Sequence, residues 1–250
     1  MKNIVILLTG CICPNTTEGL VVNNADTRKQ QYLDAIHWYL NNTPYHIVFC
    51  ENSGTVISLS ELGMRGHDGA RLEILTYTSQ PTIPERGKGY KEMEIIEYAF
   101  LHSVYLSKAD IIIKGTGRLK LLNIVSVVKF LENKHLEHFI CSWMSIKKQH
   151  SDSRFFFCSP DYLKYFITFK EKISLHKNFE DNLALSIAER DKTRYKYIYP
   201  NVWYNISGIG GGFGSVYNIT SSKYRKLNIK NLVYRLLFCL GYWPTKVDIY

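Results

Sequence analysis

At 250 residues, 46% apolar and 21% charged, the chain has the make-up of an ordinary globular protein, which excludes a disordered or fibrous one and leaves room for one large α/β domain or two small ones. Its net charge of +9 favours anionic partners, but the cations are scattered until Lys223, Arg225, Lys226, Lys230 and Arg235. Without a continuous basic stripe or a recognisable module, nucleic acid is not expected as a partner.

The apolar run from Ile4 to Leu8, after a single Lys2, is too short for a secretory leader or a membrane span. That places the protein in the cytoplasm, with any membrane contact peripheral on the inner face of the cell membrane. Asn3 to Leu8 predicts a buried strand closed by Thr9-Gly10, and Cys11 to Asn24 reads as a loop. Asp26 is expected to cap a helix over Arg28 to Asn41, with Tyr32, Leu33, Ile36, Tyr39 and Leu40 inward. Tyr45 to Cys50 and Leu72 to Thr76 predict further strands. A loop with Pro81, Pro84 and Gly87 leads to a helix over Glu92 to Leu106 and a fourth strand over Ala109 to Ile113. Beyond it, Asn123 to Leu131 and Phe179 to Glu189 read as helices. Phe139 to Ile146, Arg154 to Cys158 and Lys196 to Tyr199 read as strands. Buried strands alternating with amphipathic helices predict a mostly parallel sheet with helices on both faces. Cys11, Cys13, Cys50, Cys141, Cys158 and Cys239 stand mostly alone in apolar stretches, as reduced thiols do, and Cys11-Ile12-Cys13 lacks the second ligand pair of a zinc site.

Ligands of open parallel sheets bind beyond the carboxyl ends of the strands. There the sequence places Thr9 and Gly10, then Glu51, Asn52 and Ser53, the loop containing Gly87, Lys88 and Gly89, and the strand-end run Lys114-Gly115-Thr116-Gly117-Arg118. Small residues let backbone N–H groups approach phosphate oxygens, and Lys or Arg neutralise their charge, so these are candidate donor-binding residues.

The stretch GKGYKEMEIIEYAFLHSVYLSKADIIIKGTGR, preceded by NIVILLTG, DTRKQQYLDAIHWYLNN and HIVFCENSG, resembles the core of GT-A glycosyltransferases, and more narrowly the bacterial enzymes of capsule and lipopolysaccharide synthesis. The resemblance implies a GT-A-like Rossmann-type fold with a C-terminal helical extension. It divides the chain into a glycosyltransferase domain over 1–220, with a nucleotide-sugar half (1–122) and an acceptor half (123–220), and a basic amphipathic extension over 221–250. It also implies a hexosyltransferase that moves a sugar from a nucleotide donor, UDP-linked and galactosyl or galactofuranosyl, to a glycan or lipid-linked oligosaccharide. The family has an Asp-x-Asp metal motif where this chain has Lys114 to Arg118. The expectation is therefore a metal-independent site, with no cofactor required, in which Lys114 and Arg118, assisted by Lys88, neutralise the departing diphosphate; the plain alternative is that Lys114 and Arg118 are solvated charges at a strand end.

An inverting reaction needs a general base, and Glu180 or Asp181, in the acidic pair opening the helix from Phe179, resembles the one near the acceptor in the family. The same acids also suit a plain helix cap. His150, Asp152 and Arg154 form a second polar cluster, candidate substrate contacts. The run Ser207 to Gly214 fails the dinucleotide fingerprint because Phe213 replaces the third glycine, and reads as a loop that closes over the sugar or as a plain surface loop. The tail from Asn231 to Trp243 reads as an interfacial membrane helix or as a helix packed on the domain or in a homodimer interface. The alternative from another class is a non-catalytic α/β module that binds nucleotide or polyanion through the same loops.

Overall fold

The computed structural model describes residues 2–14, 21–63, 70–145, 150–210 and 214–240. Its strands are β1 (Ile4–Gly10), β2 (His46–Glu51), β3 (Leu72–Thr76), β4 (Ile111–Thr116), β5 (Leu119–Leu121), β6 (Phe139–Cys141), β7 (Phe155–Cys158), β8 (Lys196–Ile198), β9 (Ile206–Ile209) and β10 (Val216–Asn218). Seven of them form one sheet in the order β3-β2-β1-β4-β7-β6-β8, and β10-β9-β5 form a small second sheet. In the large sheet β7 alone runs against its neighbours, so the expected mostly parallel α/β architecture is the one observed.

The central strands β1, β2 and β4 carry continuous apolar runs because both faces are covered. Alternate side chains diverge: Ile6, Leu8, Ile47, Phe49, Ile111, Ile113, Phe155 and Phe157 pack into one core, and Val5, Leu7, Val48, Ile112 and Phe156 into the other. Helices α1 (Ala25–Asn42) and α3 (Ile124–Glu132) cover the first face. Helices α2 (Gly87–His102), α4 (Pro160–Ile167) and α5 (Phe179–Glu189) cover the second. A last helix, α6 (Ser221–Cys239), docks through Phe238, whose ring stacks on Tyr199 at 4.9 Å.

Several boundaries differ from the sequence reading. The cap of α1 is Asn24, whose side chain accepts from the Thr27 amide, rather than Asp26. Helix α2 begins at Gly87, five residues before Glu92, and ends at His102, with a short 3-10 turn over Leu106–Lys108. Strand β4 continues to Thr116, because its pairing with β1 extends to Thr9. Strand β6 stops at Cys141 instead of running to Ile146, which lies outside the described residues. Helix α4, capped by Ser159, was not expected, nor was the small sheet. That sheet takes Ser207, Gly208 and Ile209 into β9, so the glycine run starts in a paired strand, and 211–213 lie outside the described residues. The C-terminal helix starts at Ser221, ten residues before the apolar tail, and 241–250 lie outside the described residues. No helix among the described residues is long and apolar enough to cross a membrane.

Candidate functional site

Beyond the carboxyl ends of β1, β2 and β4 lies a cavity of about 460 Å³, a size suited to a small ligand. Thr9 and Gly10 come from β1, Asn52 and Ser53 from the turn after β2, and Thr116 from the end of β4. Gly87, Lys88, Lys91 and Glu92 come from the first turns of α2. Of the sequence-derived donor residues, Thr9, Gly10, Asn52, Ser53, Gly87, Lys88 and Thr116 therefore meet at one opening.

Helix α2 enters this wall without a side-chain cap from its N-cap residue, Arg86, and with no acid in its first turn. Gly87 has φ +82°, a left-handed conformation that glycine adopts without strain. Its amide donates to Glu85 Oε1 at 2.8 Å, which shows this helix end holding a carboxylate. Lys88 and Lys91, three positions apart, both reach the cavity wall. Lys91 Nζ lies 2.9 Å from Glu94 and also donates to the Gln80 carbonyl. Asn52 is buried, and its Oδ1 has no hydrogen-bond partner.

Behind the wall runs a polar chain. Thr9 Oγ1 donates to Glu92 Oε1 at 3.2 Å, and Lys114 Nζ donates to the same oxygen. Lys114 also donates to the Ser153 carbonyl at 2.7 Å, and Ser153 Oγ donates to Glu180 Oε1 at 2.5 Å. Strand alternation explains this placement: Lys114 follows Ile112 on the α2 face, so it points beneath the helix instead of out of the strand end. Its side chain is 0% exposed, and its ammonium lies 5.3 Å from the Phe179 ring centroid.

On the other side, Arg28 donates to the Cys11, Ile12 and Val22 carbonyls, and Arg118 Nη1 donates to Gln31 Oε1 at 2.8 Å. The Arg118 guanidinium lies 5.6 Å from the Tyr32 ring centroid, and burial, with Arg28 nearby, lowers its pKa. Burial pushes the Cys11 thiol up to about 11, so this cavity cysteine stays protonated at neutral pH.

The other candidates lie outside the cavity lining. Glu51 is buried on the α1 face and accepts from the Ile12, Ser53 and Thr55 amides, which shapes the loops around the opening. Gly89 lets α5 approach: a Cβ there would sit 2.9 Å from the Phe179 nitrogen. The Gly117 amide donates to the Thr9 carbonyl at 2.9 Å, tying β1 to the turn after β4. Asp181 completes a capping box with Asn178, whose Oδ1 accepts from the Asp181 amide at 2.9 Å. Asp152 holds Arg154 through two oxygens, and the guanidinium lies over Tyr217. The His150 carbonyl accepts from the Ser145 amide. Lys91, Glu92, Arg28 and Tyr32 were missed; a helix start at Gly87 would have put Lys88 and Lys91 on one face. No three His, Cys, Asp or Glu side chains among the described residues converge as a metal site.

No family model and no curated protein matches this sequence. Solved structures do. The glycosyltransferase GlyE of Streptococcus pneumoniae gives a TM-score of 0.44 at 12% identity, over 79% of this chain and 45% of its own. The mannosyltransferase PcManGT of Pyrobaculum calidifontis, solved with GDP-Man and Mn2+, gives 0.47 at 12%, over 96% and 64%. A cytidylyltransferase of Leptospira borgpetersenii gives 0.44 at 9%, over the whole of both chains. The chain thus spans less than half the length of the first and under two thirds of the second. At such scores and identities no fold, activity, substrate or metal is carried over.

Proposed function

We propose that this chain is a glycosyltransferase that takes a sugar from a nucleoside diphosphate donor, UDP-linked, and passes it to a growing bacterial surface glycan. The observation that supports this reading best is the start of α2, which brings an amino-terminal helix end, Lys88 and Lys91 to one wall of the cavity. Such a wall offers backbone N–H groups, dipole and cations to a diphosphate. An unpaired buried acceptor costs about 1–3 kcal/mol, so the Asn52 oxygen favours a ligand that brings an N–H or O–H to the opposite wall.

In this reading the diphosphate leaves against Lys88, Lys91 and the helix end, with Arg28 in the cavity wall and Arg118 beside Tyr32 adding positive field and no divalent ion required. Lys114 acts on the site by holding Glu92. Glu180 is the general base: Asp181 is engaged in the helix cap and Glu92 by Lys114, whereas Glu180 takes a hydrogen bond from a neutral hydroxyl, that of Ser153. A galactosyl or galactofuranosyl donor and a lipid-linked acceptor follow the sequence resemblance.

The test is nucleoside diphosphate release from a panel of nucleotide sugars, with and without lipid-linked acceptor and EDTA. Release that persists in EDTA, falls sharply in Glu180→Gln, and needs about ten- to a hundredfold more donor in either single variant, Lys88→Ala or Lys91→Ala, is expected, since hydrogen bonds to charged groups contribute about 1.5–3 kcal/mol each. Binding without turnover would identify a non-catalytic nucleotide module. Pyrophosphate release from a nucleoside triphosphate and a sugar phosphate would identify nucleotidyl transfer. Loss of release in EDTA would overturn the metal-free mechanism.

A further inference from the structure

Helix α6 presents two different faces. Inward, Asn231 Nδ2 donates to the Pro200 carbonyl at 2.9 Å, Phe238 stacks on Tyr199, and the Arg235 guanidinium lies 5.3 Å from the Phe130 ring centroid. Outward, Ile229, Leu232, Val233, Leu236 and Leu240 are 51–74% exposed. Their spacing of three, four, seven and eleven residues from Ile229 confines them to a stripe about 100° wide. Lys223, Lys226 and Lys230 recur every three to four residues along one border of that stripe, and α6 contains five cations and no acid.

We infer that this stripe rests on an anionic lipid surface, with α6 lying in the plane of the interface. Apolar side chains flanked by lysines match the two layers of such a surface, acyl boundary and negatively charged headgroups. A second copy fits worse, because a symmetric pair of these helices would oppose cation to cation with no acid to answer them. The helix lies on the bilayer and does not span it, since it is not apolar enough to cross.

The inference stands apart from the donor site and is read without nucleotide. The full chain is sedimented with sucrose-loaded vesicles of phosphatidylcholine alone, or with phosphatidylglycerol added, at low and high salt. Binding is expected only with phosphatidylglycerol and weakened by salt. The Lys223→Gln/Lys226→Gln/Lys230→Gln variant should bind about a hundredfold more weakly, and Leu232→Ser/Leu236→Ser at least tenfold more weakly. Because these side chains point outward, the thermal melts of both variants should match the parent, which separates lost binding from lost folding. Three results would overturn the inference: no sedimentation with anionic vesicles, equal binding by parent and variants, or a dimer in analytical ultracentrifugation that Leu232→Ser/Leu236→Ser dissociates.

Discussion

On the face of the large sheet covered by α1, the central strands offer Ile6, Leu8, Ile47, Phe49, Ile111 and Ile113, and the first acid appears only at the last residue of β2. On the face covered by α2 the same strands begin alike, with Val5, Leu7, Val48 and Ile112, but end in Thr9, Lys114 and Thr116. Glu51 on the first face is consumed by loop amides, whereas the polar residues of the second face reach Glu92 and the cavity. Alternation along a strand thus lets one element serve as core on one side and as site on the other. The polar ends are tolerated because Thr9 and Lys114 find Glu92 beneath the helix, and Thr116 opens onto the cavity.

Breaking the network on the α2 side should cost most. Lys114→Met removes the cation that holds Glu92, whose side chain is 25% exposed, and should lower stability by about 3 kcal/mol in urea unfolding. Adding Glu92→Gln should recover most of that loss, because no carboxylate is then left without its partner. Gly89→Ala pushes a methyl group against the backbone of α5 and should cost about 2 kcal/mol by the same measurement, with weaker donor binding as α2 shifts. On the α1 side, Ile113→Val should cost about 1 kcal/mol and leave nucleotide release unchanged. A larger effect on release from Ile113→Val than from Gly89→Ala would erase the distinction between the faces.

The parallel sheet was legible because its strands are continuous aliphatic runs, and the cavity walls at Thr9, Gly10, Asn52, Ser53 and Thr116 followed from strand ends. What was not legible came from pairing and capping. Strand β4 extends to Thr116 because β1 pairs with it that far, so Lys114 belongs to the strand, and no local propensity signals this. The start of α2 was hidden because Gly87 and Gly89 read as loop residues, although one adopts a left-handed conformation at the helix entry and the other admits α5. Asp181 carried two readings in sequence, base and cap, and the structure shows it engaged in the cap with Asn178. The small sheet was missed because β5, β9 and β10 are only three or four residues long, too short for a period to show.

The burial of Lys114 also limits how this site can change. An aspartate at that position would place a second carboxylate beside Glu92, out of reach of water and without a counter-ion. Retrofitting a metal-binding acid into this stretch therefore requires at least two coordinated exchanges, one in β4 and one in α2. A single substitution would meet an unstable intermediate, so the cation at the strand and the acid on the helix are expected to change together or not at all.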